Sequence, residues 1–278
     1  MSWLAGVALL CFAANSVLAR LALRNGQIDA ASFTAIRLAA GALFLMLLLR
    51  GRAPPVGAPR SGSWTAALLL FLYAAPFSFA YLELSTGTGA LILFGAVQLT
   101  MIGAGILAGE RPHPREWIGL AVALAGLLYL NLPGLTAPSP LGAALMTVAG
   151  IAWGFYSLRG RGAVAPLRQT AESFLLAVPF GLALAAAGSL HAHLSGFGVA
   201  CAVTSGALAS GGGYAAWYTV LPRLSATRAG TIQLAVPALA ALAGILLLGE
   251  RMSFRLLASA IAILGGVGLA SSARATSR

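Results

Sequence analysis

Apolar residues fill this chain in ten blocks, at about 3–23, 30–49, 63–82, 86–108, 115–131, 141–158, 169–187, 197–221, 228–248 and 254–271, separated by short polar or Gly/Pro-containing breaks. Each block is close to the roughly 20 apolar residues that an α-helix needs to cross the hydrocarbon core of a bilayer. The pattern predicts an all-α integral membrane protein with ten transmembrane helices. Its breaks are compact: Arg24-Asn25-Gly26, a Gly/Pro-rich linker at 50–60, the turn Asn131-Leu132-Pro133-Gly134, and a loop bearing His191 and His193. The first block has no basic residue before it and no obvious cleavage site, so it reads as a retained helix rather than a signal peptide.

The blocks repeat. Leu84 to Leu130 returns 140 residues later as Leu224 to Ala270. In ungapped register the copies share Leu84/Leu224, Ser85/Ser225, Ile92/Ile232, Leu99/Leu239, Leu107/Leu247, Arg115/Arg255, Leu124/Leu264 and Gly126/Gly266. They also share a polar pivot between two apolar runs, Gly109-Glu110-Arg111 and Gly249-Glu250-Arg251. Such a repeat predicts two five-helix units, 1–135 and 136–278. Five is odd, so the second unit must enter the membrane upside down, which makes the repeats inverted in topology.

Composition sharpens the class. Apolar residues make up 59% of the chain and charged residues 8%, against about 25% charged in ordinary soluble domains. The net charge of +11 does not point to nucleic acid, because all 17 basic residues are Arg and stand between apolar blocks. With both termini in the cytoplasm, twelve of them fall on the cytoplasmic side and four (Arg20, Arg24, Arg251 and Arg255) outside, the asymmetry of the positive-inside rule. Arg37 lies within a span, one or two turns from its start, where a long side chain can snorkel toward the interface. Cys11 and Cys201 match no metal or redox spacing and read as small core residues. No cofactor or metal is expected, and no His/Asp/Ser cluster has catalytic spacing, so the chain does not read as an enzyme.

Inverted repeats form inward-open and outward-open states of similar energy, with the substrate near the midplane where the repeats meet, and Gly or Pro interruptions mark that site. The interruptions here, and so the candidate hinges, are Pro76, Gly211-Gly212-Gly213 and Pro237. Around them stand aromatic faces at helical spacing: Tyr73, Phe77 and Tyr81; Trp153 and Tyr156; Tyr214, Trp217 and Tyr218. Such rings cage an ammonium by cation–π attraction or stack on an aromatic substrate; near helix ends they equally form interfacial belts or core packing. Asn15, Gln98 and Gln233 lie deeper, where an amide either joins helices or meets substrate. Glu110 and Glu250 read as anchors of their own tight hairpins beside Arg. Gly150-x-x-x-Gly154 reads as a close-packing surface. The six acidic residues fall near span ends or in loops, so proton coupling is expected to be weak or absent, with Glu83 and Glu172 the exceptions.

The ten-span count, the boundary near 131–140, the two Gly-Glu-Arg turns, and the segments Leu84-Ser85-Thr86-Gly87-Thr88-Gly89-Ala90 and Leu224-Ser225-Ala226-Thr227-Arg228-Ala229-Gly230 resemble the drug/metabolite transporter superfamily. More narrowly, the chain resembles its ten-helix EamA-type exporters and, among them, the bacterial aromatic amino acid exporter branch. That resemblance implies an inner-membrane exporter of amino acids or other small metabolites, with cationic drugs on the same fold as the alternative. It implies a lining from spans one, three, four, six, eight and nine, with spans five and ten as peripheral scaffold. The implied partners are a small-molecule substrate and the lipid bilayer, with the protein working as a monomer and binding no nucleic acid. The chain departs from many relatives in having no Lys.

Overall fold

Where each helix starts is set by residues that satisfy its free N–H groups. Asp29 accepts the Ser32 N–H at 2.8 Å, Ser139 that of Gly142 at 3.2 Å and Ser195 that of Gly198 at 3.0 Å, each an N-cap. Pro114, Pro140 and Pro166 open three other helices or share their first turn with a cap, where the missing N–H costs nothing. Gly26 and Gly249, at φ +59 and +62, make turns that a side chain would strain.

The computed structural model describes residues 2–50, 63–107, 114–132, 137–160, 165–188, 192–221, 233 and 235–273. Its helices are α1 (Ser2–Arg24), α2 (Ala30–Leu49), α3 (Trp64–Ala80), α4 (Thr86–Leu107), α5 (Pro114–Asn131), α6 (Pro140–Gly160), α7 (Pro166–Ala187), α8 (196–220), α9 (Ala235–Leu248) and α10 (Phe254–Ala273). The helix α8 is continuous but changes pitch, from α-helical Gly196–Thr204 through π-helical Ser205–Gly212 to α-helical Gly213–Val220. These elements match the ten expected blocks. The first Gly-Glu-Arg pivot, the linker after α2 and most of 222–234 lie outside the described residues.

Five of the described helices, α1, α2, α4, α6 and α7, are long and apolar enough to cross a membrane; α3, α5, α9 and α10 are shorter apolar helices. Large apolar side chains such as Leu10, Leu43, Leu128, Leu182, Leu246 and Ile261 are exposed, which suits a surface bathed in lipid. The interhelical contacts follow a two-fold exchange of the halves. α2 packs on α7, α4 on α9 and α5 on α10; α3 packs on α6 as α8 does on α1, and α4 on α6 as α9 does on α1.

Two glycine pairs set 140 residues apart mark these self-related crossings. A Cβ on Gly126 would stand 2.8 Å from the Ala262 side chain, and one on Gly266 would stand 2.5 Å from the Gly119 carbonyl oxygen, so α5 and α10 touch backbone to backbone. Where α2 meets α7, a Cβ on Gly41 would stand 2.5 Å from the Phe174 ring and one on Gly181 would stand 3.2 Å from the Ala35 Cα. The Gly150 and Gly154 spacing does as expected, admitting the Leu93 and Val97 carbonyls of α4 against α6.

The links after α1, α3, α5, α7 and α9 gather on one side. Asp29 donates its N–H to the His193 carbonyl at 3.0 Å, and Ser195 to that of Gln27 at 2.8 Å. Arg24 reaches the Leu248 carbonyl and Arg255 that of Leu132. Arg159 reaches Ser63 at the other end of the bundle. The helices therefore alternate in direction, and the two five-helix repeats are inverted.

Gly266→Ala is expected to destabilise the protein by about 1–3 kcal/mol, because the added methyl meets backbone that cannot move aside. Gly265→Ala, with open space around its Cβ, is the control. Apparent melting temperatures in detergent check this: the first variant melts lower and the second unchanged.

Candidate functional site

At the centre of the bundle, α1, α3, α4, α6 and α8 meet around a cavity of about 10 Å³ lined by Phe12, Asn15, Tyr73, Phe77, Leu93, Phe94, Trp153 and Tyr214. The Trp153 ring lies 4.8 Å from that of Tyr214 and 5.0 Å from that of Tyr73, and Phe12 stands edge-on to Trp153, Tyr214 and Trp217. A space of this size holds about one water. Admitting an organic solute requires the walls to separate, and both repeats supply walls.

One side of the cavity is polar. The Asn15 Oδ1 accepts hydrogen bonds from the Ser205 hydroxyl at 2.7 Å and the Ser210 hydroxyl at 3.3 Å. Residues five apart diverge on an α-helix, but a π-helix bonds each N–H to the carbonyl five residues back and stacks them. Here the Gly213 N–H reaches the Leu208 carbonyl, and both serines face Asn15. The glycines of this stretch serve approach as well. A Cβ on Gly211 would stand 2.8 Å from the Phe44 ring, and one on Gly213 would stand 2.7 Å from the Cys11 Cβ, so α8 lies tight against α2 and α1.

Behind this polar side lies Arg37, and here the sequence expectation is corrected. Its side chain does not snorkel to the interface: it is 1% exposed. Its Nη2 donates to the Tyr73 hydroxyl at 2.8 Å and its Nε to the Ser210 hydroxyl at 3.2 Å. The guanidinium carbon sits 4.7 Å from the Phe77 ring centre and 5.1 Å from that of Tyr73. α2 faces α3 and α8 at this level, so a residue pointing inward meets hydroxyls and rings instead of lipid.

Toward the side where the links after α1, α3 and α9 meet, the bundle is closed by Glu250. Its carboxylate accepts the Thr86 N–H at 2.9 Å on both oxygens and the Thr86 hydroxyl at 3.0 Å. It thus sits on the N-terminus of α4, where free N–H groups and the helix dipole favour an anion. The Nε of Arg20 stands 3.6 Å away, and the Nη1 of Arg20 donates to the Tyr81 and Leu82 carbonyls at 2.9 and 3.1 Å. Glu250 therefore joins the α9–α10 turn to α4 and α1, across the repeats. The sequence expectation of a carboxylate anchoring its own hairpin is corrected for this copy; Glu110 lies outside the described residues. In the neighbouring α1–α2 turn, burial raises the pKa of Asp29, but N–H groups of Ser32 and His193 more than offset it and hold the carboxyl below its ordinary value.

Of the residues singled out from sequence, Asn15, Tyr73, Phe77, Trp153 and Tyr214 come together around the cavity. Tyr81 lies nearer the Glu250 end, its ring on Gly89 and its hydroxyl 3.4 Å from the Thr86 carbonyl. Tyr156 stacks on Trp153, and Trp217 and Tyr218 are buried, Tyr218 against Gly160. Gln98 and Gln233 are buried and do not line the cavity. Pro76 sits inside an unbroken α3, and Pro237 lies in the first turn of the described α9. Sequence reasoning missed Phe12, Leu93, Phe94, Arg37 and the two serines. A larger cleft of about 280 Å³ among α4, α9 and α10 is walled by apolar side chains and backbone alone, suited to lipid chains and not to a polar solute.

A sequence model of the EamA-like transporter family matches residues 1–132 and again residues 140–272. An uncharacterized protein of Pseudomonas aeruginosa, PA1977, is 51% identical over 263 residues, covering 95% of this chain and 91% of that one. The threonine/homoserine exporter RhtA of Salmonella typhimurium is 31% identical over 236 residues, covering 81% of this chain and 76% of the exporter. The inner membrane transporter YedA of Escherichia coli is 32% identical over 137 residues, 48% of this chain and 44% of that one. One crystal structure superposes with a TM-score of 0.70 at 18% identity, over 100% of this chain and 98% of the other, which shows a shared fold.

Glu250→Ala is expected to loosen the closed end, since hydrogen bonds to a charged group contribute about 1.5–3 kcal/mol each. The check is labelling of a cysteine placed at the buried Ser16, in a Cys11→Ser, Cys201→Ser background, by a membrane-impermeant maleimide. The labelling rate rises about tenfold with Glu250→Ala; Arg251→Ala, at an exposed position, leaves it unchanged.

Proposed function

The chain belongs to the EamA-like transporter family, and from that premise we propose that it exports amino acids, aromatic or of broad range, and related small metabolites by alternating access. The observation that carries this reading is the aromatic-walled cavity between the repeats, closed at one end by a carboxylate that crosses from one repeat to the other. Aromatic faces of Tyr73, Trp153 and Tyr214 suit a substrate ammonium or ring. Asn15 and the serines of the π-helical turn suit its polar groups. RhtA, a relative over most of its length, is named for the export of threonine and homoserine, which favours an amino acid over a drug.

We place the protein in the bacterial inner membrane with both termini cytoplasmic, on the distribution of its arginines. In that orientation the Glu250 closure faces the periplasm, and the cavity would be reached from the cytoplasm once the opposite ends of α3, α4, α8 and α9 part. The repeats, divided near residue 135, exchange roles in the other state. Pro76, Gly211 to Gly213 and Pro237 serve as the places where the lining helices bend.

The test is counterflow in proteoliposomes of the full chain, preloaded with unlabelled amino acids and presented with labelled ones. Saturable uptake that accelerates with substrate on the opposite side is expected, with Trp153→Ala or Tyr214→Ala raising the apparent KM about three- to thirtyfold. That range corresponds to losing one or two cation–π contacts of about 0.5–2 kcal/mol each. Uptake of organic cations alone would turn the assignment to the drug exporter, and an unchanged KM in both variants would remove the aromatic cage.

A further inference from the structure

Arg37 is a permanent charge placed where a charge is costly. Taking a guanidinium out of water is costly unless an opposite charge and a full set of hydrogen bonds compensate it. Here the compensation is partial. Its hydrogen-bond partners are two neutral hydroxyls, of Tyr73 and Ser210, and two aromatic faces add cation–π attraction. The Nη1 is buried with no hydrogen-bond partner. An ion pair joins Arg20 and Glu250 at the closed end, away from Arg37.

The position of this charge is as informative as its lack of a counter-ion. Tyr73 and Phe77, which hold the guanidinium, are walls of the central cavity, and Ser210 hydrogen-bonds Asn15, a third wall. Tyr214, four residues along α8 from Ser210 and a fourth wall, is also buried with a hydroxyl that has no partner. One unmet donor, the Tyr214 hydroxyl, thus belongs to a residue of the cavity wall, and a second, charged one stands directly behind the walls Tyr73 and Phe77.

We propose that Arg37 is the anion-binding group of the transport site and takes the carboxylate of the substrate, with the Tyr214 hydroxyl as second donor. The proposal rests on the transporter reading above and narrows its substrate class to small organic carboxylates, amino acids included. A single guanidinium beside neutral hydroxyls and rings matches one negative charge. A cation without a carboxylate meets like-charge repulsion at the same place. Loaded substrate supplies the counter-ion that the resting site lacks, so binding relieves the cost that the empty site carries.

The experiment sets acids against their amides. In counterflow with the full chain, L-phenylalanine and L-threonine are expected to compete about tenfold or more better than L-phenylalaninamide and L-threoninamide, the difference that a charge-assisted hydrogen bond supplies. In Arg37→Gln the preference is expected to fall to near unity, and in Arg37→Lys to survive in part. A structural role alone would lower all fluxes together and leave the ratio intact; an intact ratio in Arg37→Gln overturns the proposal. A second measurement does not depend on the variants folding. Thermal stabilisation of the purified wild-type protein by 3-phenylpropionate, with none by 3-phenylpropionamide, supports the anchor. An equal or absent response to the pair overturns it, as does stronger stabilisation by inorganic phosphate. Stabilisation by the acid without any amino acid flux keeps the anchor and removes the amino acid reading; amino acid flux with equal competition by the amides does the reverse.

Discussion

Close backbone approach between helices of opposite repeats is the constraint on which this architecture depends. In hydrocarbon, an apolar side chain gains little by facing a neighbouring helix instead of lipid, so association rests on van der Waals packing and a few polar contacts, favoured by small residues. The α5–α10 crossing shows how far this goes, with Gly266 against the Gly119 carbonyl and Gly126 against Ala262. Because Gly126 and Gly266 occupy equivalent places in the two copies, one small-residue solution, duplicated, makes both faces of the crossing. The same holds for Gly41 and Gly181 where α2 meets α7. These self-related pairs fix the outer frame and leave α1, α3, α6 and α8 to face one another across the middle.

The middle follows the opposite rule. Polar groups there are paired sparingly and by neutral partners: Asn15 with two serines, Arg37 with a serine and a tyrosine. A fully paired network would hold the helices in a single arrangement. On the proposed function, weak and exchangeable hydroxyl contacts leave α2, α3 and α8 free to re-form around a solute. The π-helical stretch of α8 belongs to the same logic, since it spends regular backbone geometry to bring Ser205 and Ser210 to one face.

Much of the frame was legible in the sequence, because span length and a 140-residue repeat are one-dimensional signals. The site was legible in part. Tyr73, Phe77, Trp153 and Tyr214 announced themselves as aromatic faces, and Asn15 as a buried amide. Phe12, Leu93 and Phe94 did not, since one more apolar residue inside an apolar block carries no mark of which way it points. Arg37 was visible and misread. Its distance from the helix end allowed snorkelling, and what overrules this is the rotation of α2 against α3 and α8, which depends on tertiary packing and not on position along the block. Two serines five apart were likewise unreadable without knowing that the helix between them changes pitch. Glu250 was assigned to its own hairpin because its partner, Thr86, lies 164 residues away.

On the proposed alternating access, the contact at Glu250 is one that must break, and its geometry suits that. Its carboxylate takes a helix N-terminus and one hydroxyl, while Arg20 stands beyond hydrogen-bond distance at 3.6 Å and gives its donors to backbone carbonyls instead. A direct bidentate pair would be stronger, and moving a two-state equilibrium from one side to the other already takes about 5.5 kcal/mol. A closure much stronger than that would leave a substrate unable to shift the populations. On the proposed function, holding Glu250 through a helix end keeps this contact within reach of the binding energy of a substrate at the cavity between the repeats, where α3 and α4 also supply Tyr73, Phe77 and Phe94 to the walls.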